Sequence, residues 1–335
     1  MALKFGLTLP NRGVIFGVET IDELIEMGVE AEQSGLFESL WIGDSILAKR
    51  RPESVALLGA LGARTRKVRL AVGCMASFPI RNPLLLAAQW STLDLIAGPN
   101  RLILAACLGG EGGGGDWQME AEGFNVPQGE RVGRLEEGIE ILKAVWTNNP
   151  ASYRGKYYQF TDVVSEPRPL TSPHPAIWIA SNPRPTPNAP GASNANRATR
   201  RIARLADGWM TTWLTASDIA QRWESISAAL TEAGRDPDTF DNTLYYNVHI
   251  NEDREAAYDE TKRFLDTYYS TDHSRARLDI WVAYGSPAEV IQKLREFEAA
   301  GAKEITVRLT SWDQRHQYRR FVEEVLPAFQ TATVS

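Results

Sequence analysis

The sequence predicts a (β/α)8 TIM barrel with insertion segments, a single α/β domain over residues 1–335. Three observations carry that reading. Short β-like runs alternate with helical segments along the chain, as parallel strands joined by helices do. Eight such runs are present, enough to close a parallel sheet on itself. They cover residues 5–9, 39–43, 68–72, 101–107, 177–179, 209–213, 244–250 and 304–309. Most of them end in a polar or glycine-rich loop, and in a barrel the active site lies where the strands end.

Each helical segment has its own warrant. Residues 20–34 place Ile21, Leu24, Ile25, Gly28 and Ala31 on one face, with Thr20 and Glu23 spaced as a capping box and Gly35 as the stop. Pro52 is expected at the first helical position of a segment ending at Arg64. Asn82-Pro83 opens the next, which closes at Gly98-Pro99. Val132, Leu135, Ile139, Leu142 and Val145 give residues 130–147 a helical period, and their charged neighbours read as a solvated face. Further helices are expected over 195–206, 217–234, 254–270, from Pro287 onward, and over 313–329. Three segments break the rhythm. Residues 111–128 are rich in glycine, 151–168 read as a hairpin around Gly155, and 183–196 are rich in Pro, Asn and Gly. All three are expected as insertion loops over the C-terminal mouth.

Bulk properties narrow the function. The chain of 335 residues exceeds the ~250 of a typical barrel, which leaves room for these insertions. A formal net charge of −6 argues against a nucleic-acid surface. No apolar run approaches the ~18 residues of a membrane span, and the N-terminus enters a strand at once, so neither membrane nor signal peptide is expected. Two cysteines make no disulfide framework and no metal site, and a cytoplasmic setting fits. Cys74 and Cys107 fall at the ends of neighbouring strands, where they read as two small buried residues or as a redox pair.

Candidate chemistry gathers at the strand ends. The run Leu108-Gly-Gly-Glu-Gly-Gly-Gly-Gly-Asp116 meets a G-x-G-x-x-G pattern, but so glycine-rich a run meets many patterns. What it does offer is backbone amides that approach a phosphate or a ring edge closely. Asp44 and Glu111 are two mouth carboxylates, able to handle protons or to act as a hydrolase pair. Ser193, Asn194 and Asn196 stand before a helix as caps that suit a phosphate. The four histidines show no ligand spacing, so no metal is expected.

Several segments together resemble the bacterial-luciferase-like superfamily of flavin and deazaflavin oxidoreductases. They are residues 5–10 (FGLTLP), 39–44 (SLWIGD), 72–83 (VGCMASFPIRNP), 92–98 (TLDLIAG), 129–137 (GERVGRLEE), 200–209 (RRIARLADGW) and 285–290 (GSPAEV). The resemblance spans nearly the whole chain. It implies an oxidoreductase, acting by hydride transfer or monooxygenation on a small organic substrate, with coenzyme F420 or FMN at the mouth. It places a strand-end bulge with a non-prolyl cis peptide at about Met75-Ala76, and cofactor contacts at Asp44, Cys74, Met75, Ala76, Leu108, Gly109, Gly110, Ser181, Asn182 and Ser193. Asp44-Ser45 stands closer to the Asp-His of the deazaflavin branch than to the Glu-His-His of the flavin branch, which favours F420 slightly. Basic residues at Arg12, Lys49, Arg50, Arg51 and Arg81 suit an acidic cofactor tail. Trp41 and Trp213 are candidate pocket residues. A homodimer and a reductase partner are implied. A cofactor-independent hydrolase using Asp44 and Glu111 and a non-catalytic flavin-binding relative are the alternatives.

Overall fold

The computed structural model describes residues 2–110, 114–183 and 193–330, and for 193–196 their backbone alone. Its strands are β1 (Lys4–Leu9), β2 (Ser39–Ile42), β3 (Arg69–Met75), β4 (Leu102–Ala106), β5 (Ala151–Arg154), β6 (Gln159–Val163), β7 (Ala176–Ala180), β8 (Gly208–Thr212), β9 (Asp241–Ile250), β10 (Val282–Gly285) and β11 (Glu304–Leu309). Eight of them close a parallel barrel in the order β1-β2-β3-β4-β7-β8-β9-β11, with β11 back against β1. These are the eight predicted runs. β3 and β9 therefore stand on opposite walls, as do β4 and β11.

Strand parity separates an outer core from the barrel interior. Leu70 and Val72 of β3, and Ile305, Val307 and Leu309 of β11, pack outward under the helices. Trp41, Ala71, Ile103, Trp178 and Met210 point inward. The floor is polar and gathers on Glu304. Glu304 accepts from Ser39 Oγ at 2.5 Å, from Trp41 Nε1 at 3.2 Å and from Arg69 at 3.0 Å. Above it the rings of Trp41 and Trp178 lie 5.7 Å apart. They plug the barrel, so ligand space remains only toward the strand ends.

The bulge lies earlier than the resemblance implied. The cis peptide joins Gly73 to Cys74, and the β3–β4 register shifts between Val72 and Met75. One extra residue in a strand reverses the parity that follows. Gly73 and Cys74 therefore both face inward, and Met75 turns out into the core. A Cβ at Gly73 would stand 2.8 Å from Cζ3 of Trp41 and 3.0 Å from Met210, so only glycine lets the backbone rest on the indole.

Helix Ile21–Ser34 has the predicted capping box, and Gly35 closes it in the left-handed conformation. Helix Ser54–Arg64 is capped by the Glu53 carboxylate, so Pro52 lies outside it. A short helix, Arg275–Trp281, and β10 were not anticipated. The ten residues of β9 outrun β8, and β10 pairs with the surplus from Asn247 to Ile250. Four residues are too few to show a period. No helix among the described residues is long and apolar enough to cross a membrane.

The insertions do not share one place. Residues 151–168 hold the hairpin β5–β6, but they join a helix C-terminus to a strand start and so arise at the opposite end of the barrel. The hairpin packs along helix Arg131–Thr147, where Glu137 accepts the backbone amides of Lys156, Tyr157 and Tyr158. None of its residues lines the cavity described below. The described part of 111–128 does reach the mouth, through helix Trp117–Gly123. Most of 183–196 lies outside the described residues.

Candidate functional site

One cavity of about 320 Å³ opens where the barrel strands end. Its β3–β4 wall is formed by Gly73, Cys74, Ala76, Cys107, Gly109 and Gly110. Gly109 and Gly110 have φ of 61° and 109°, a region that L side chains avoid. A Cβ at Gly109 would meet the Ala76 carbonyl at 2.6 Å. The two glycines thus carry bare backbone along the cavity edge. Leu108 is not on the wall; it packs against the outer core, and its carbonyl accepts from Arg131 at 2.9 Å. Cys74 and Cys107 are free thiols. They hydrogen-bond to each other, which raises Cys74 and lowers Cys107 relative to an ordinary thiol.

The β7–β8 wall presents Ser181, Asn182, Thr212 and Trp213. Asn182 donates to the Thr212 carbonyl at 3.1 Å, while its Oδ1 has no hydrogen-bond partner among the described residues. The Trp213 Nε1 is also buried and without a hydrogen-bond partner among the described residues. Buried polar atoms normally find partners, so orphans of both signs on one wall mark a place where a polar ligand completes the set. Ser193 opens helix Ser193–Leu205 by its backbone, and its side chain lies outside the described residues. So does Glu111.

The loop after β2 is held by two buried carboxylates. Asp44 lines the cavity, yet both of its oxygens are engaged. Oδ1 accepts from Ser54 at 2.7 Å and from Arg81 at 3.1 Å, and Oδ2 accepts the Ser77 amide at 2.8 Å. Glu120, on helix Trp117–Gly123, accepts the amides of Ile46, Leu47 and Ala48 through one oxygen. Between these anchors the loop brings Lys49 and Arg51 to the cavity. Arg81 is spent on Asp44 and Glu53, and Arg12 on the carbonyls of Arg50 and Tyr268.

Burial, and next to it the charge of Arg51, lowers Lys49 to about 8. Arg12, Cys74 and Cys107 also act on it, and its ammonium stands 5.2 Å from the Trp117 ring and 5.0 Å from that of Tyr269. The unfolded chain then holds a proton that the folded chain has released between about pH 8 and the ordinary 10.5. Raising the pH through that window adds stability. Lys49→Met is expected to be more stable than the parent at pH 7, by a margin that shrinks as the pH climbs toward 10. Paired denaturant melts check this, and a margin that does not vary with pH would refute it.

The remaining wall joins two strand residues to two helix-end residues. Tyr245 and Arg308 come from β9 and β11, while Tyr269 and Trp281 come from the ends of the helices Arg254–Tyr269 and Arg275–Trp281. Trp281 donates to Thr212 at 2.8 Å and packs edge-on to Trp213, with ring centres 4.9 Å apart. Trp41 lies beneath the cavity rather than in it, with no exposed surface. His249 is buried, bonded to the Thr310 carbonyl at 3.0 Å, and is not on the wall. Among the described residues, no group of three or more His, Cys, Asp or Glu could hold a metal.

Known proteins supply the context. The profile of the luciferase-like monooxygenase family matches residues 3–304. An F420-dependent glucose-6-phosphate dehydrogenase of Nakamurella multipartita is 27% identical, over 91% of each chain. Among solved structures, an F420-dependent secondary alcohol dehydrogenase in complex with an F420–acetone adduct superposes with a TM-score of 0.81, at 15% identity, over 99% of this chain and 100% of that one. The monooxygenase RslO1 of Streptomyces bottropensis superposes with a TM-score of 0.77, at 23% identity, over 98% and 100%. With the family profile matched over nearly all of its barrel, the chain belongs to the luciferase-like monooxygenase family of oxidoreductases.

Proposed function

We propose that the chain is an oxidoreductase that moves a hydride between a small organic substrate and coenzyme F420. The observation that carries this is the paired wall of bulged β3 and bare-backbone Gly109–Gly110, facing a cavity whose polar orphans await a partner. The family match and the F420-dependent relatives support the choice of cofactor. The cavity residues fit such a group. Gly73, Cys74 and Ala76 would back its ring, Gly109 and Gly110 would let its edge approach the main chain, and Asn182 Oδ1 would accept from it. The deazaflavin supplies two-electron hydride chemistry when bound.

The chain's own residues do the rest. Trp213, Trp281 and Tyr245 give the cavity dry aromatic walls. Asp44 fixes the β2 loop against the β3 loop, which sets where Lys49 and Arg51 stand. Asp44 and Glu111 remain the carboxylates proposed to handle the substrate proton; Asp44's three bonds favour a positioning role for it. A cytoplasmic setting and a homodimer belong to the same reading. An FMN-dependent monooxygenase served by a partner reductase is the competing form.

Paired fluorescence titrations with F420 and with FMN decide between these. F420 is expected to bind at least about tenfold tighter, a difference of ~1.4 kcal/mol. Tighter binding of FMN would turn the assignment to the monooxygenase, and binding of neither would remove the cofactor reading.

A further inference from the structure

Three tyrosines surround the buried guanidinium of Arg308, and their hydroxyls are used differently. The Tyr268 ring centre lies 4.2 Å from the guanidinium, but its hydroxyl is spent elsewhere. It accepts the Arg12 amide at 3.3 Å and donates to Asn11 Oδ1 at 3.4 Å. The other two hydroxyls meet at the cavity. Tyr245 and Tyr269 both line it, with their oxygens 3.0 Å apart. Arg308 Nη1 donates to the Tyr269 oxygen at 3.1 Å.

The protons of this cluster can be counted. A phenol carries one O–H and accepts through its oxygen, whereas a guanidinium only donates. One of the two phenol protons is used between Tyr245 and Tyr269. The other cannot go to Arg308, and no acceptor among the described residues takes it. If Tyr269 donates to Tyr245, the unspent O–H belongs to Tyr245; if Tyr245 donates, it belongs to Tyr269. Either way one phenol O–H is left over at the cavity. Burial holds the Tyr245 hydroxyl well above the ordinary range of a phenol, so its proton stays in place. Tyr245 stands on β9 level with Thr212, the last residue of β8, and faces the bulge of β3 from the opposite wall. A donor so enclosed is costly to leave unused. Asp44 offers the opposite case, since both of its oxygens are already engaged.

We propose that the Tyr245–Tyr269 pair is the hydrogen-bond donor of this site to an uncharged oxygen of the substrate, with Arg308 as the positioning residue behind it. Its use in catalysis rests on the hydride-transfer reading; its use in binding does not. A cofactor ring on the β3–β4 wall would leave the substrate between ring and phenols. An oxygen on the carbon that receives hydride gains negative charge. A preset O–H is worth more to that oxygen than to the uncharged ground state, which is what accelerates a reaction. The guanidinium adds a fixed positive charge on the same side.

Cyclohexanone serves as the probe, a neutral acceptor small enough for a cavity of about 320 Å³. It is titrated into the protein with and without F420, followed by tryptophan fluorescence and by the infrared carbonyl band of the bound ketone. The parent protein is expected to show saturable binding and a band below that of the ketone in a hydrocarbon. Tyr245→Phe combined with Tyr269→Phe removes both hydroxyls and neither ring. It should return the band to the hydrocarbon position and weaken the ketone about three- to tenfold, the worth of one hydrogen bond, with F420 affinity unchanged. Either single Phe variant still leaves one free O–H, so both should keep a lowered band; hydroxyls that serve packing alone predict no such split. No saturable binding by the parent, a parent band at the hydrocarbon position, or a band unmoved in the double variant overturns the proposal. The first two outcomes need no variant to fold. Loss of F420 affinity in the double variant overturns it too, since the phenols then belong to the cofactor. Failure of F420 to bind the parent sinks the cofactor reading instead, and leaves the ketone measurement on the unloaded protein in force.

Discussion

Glu120→Ala is expected to destabilise the protein by roughly 3–5 kcal/mol, the cost of breaking a buried charged cluster from one side. Glu120 has no exposed surface. One of its oxygens gathers three successive amides, from Ile46 at 3.2 Å, Leu47 at 2.9 Å and Ala48 at 3.1 Å. The other faces Arg131 at 3.8 Å, a Coulombic contact too long for a hydrogen bond. Alanine would leave three amides without an acceptor and the buried Arg131 without its anion. Arg131 also holds the Leu108 carbonyl, just before Gly109 and Gly110. One substitution therefore loosens both the loop that carries Lys49 and Arg51 and the glycine edge of the cavity. Glu120→Gln keeps an oxygen for the amides but turns an NH2 toward the guanidinium, so its cost should be smaller and electrostatic. Denaturant melts of both variants, read with F420 titrations, check this ordering. An alanine variant within about 1 kcal/mol of the parent would mean that water reaches the freed amides and that the clamp is dispensable.

The contrast between Asp44 and Arg308 shows what the sequence displayed and what it hid. A barrel puts strand-end residues at its mouth, and the family resemblance singled out Asp44, Cys74, Ala76, Gly109, Gly110, Ser181 and Asn182 among them, all of which line the cavity. Met75 was misplaced because a bulge changes parity, and nothing local in Gly73-Cys74-Met75-Ala76 announces the extra residue. Tyr269, Trp281 and Trp117 were hidden for another reason. They reach the cavity from helix ends, and placing them requires knowing how the helices fold back. Arg308 was the one available signal that went unused. In Glu304-Ile-Thr-Val-Arg-Leu309 the apolar residues alternate outward, so the arginine between Val307 and Leu309 had to face the barrel interior.

Asp44→Ala is expected to cost as much as the Glu120 variant, roughly 3–5 kcal/mol, and for a related reason. It takes from Arg81 the buried one of its two carboxylates, 3.1 Å from Nη2, and leaves the guanidinium to the more exposed Glu53 at 2.6 Å, and it frees the Ser77 amide that follows the bulge. The partners should couple. Removing Arg81 as well, in Asp44→Ala with Arg81→Met, is expected to cost clearly less than the two changes summed, because the buried Asp44–Arg81 contact is then lost only once. Asp44→Asn separates positioning from proton transfer. The amide retains the shape and one acceptor oxygen, but it cannot take up a proton near neutral pH. A positioning Asp44 predicts that cofactor affinity falls while the pH profile of turnover keeps its limbs. A proton-handling Asp44 predicts the reverse, with binding intact and one limb of the profile lost. The geometry favours the first outcome, since an acceptor already serving Ser54, Ser77 and Arg81 would have to give up one of these bonds to receive a proton from substrate.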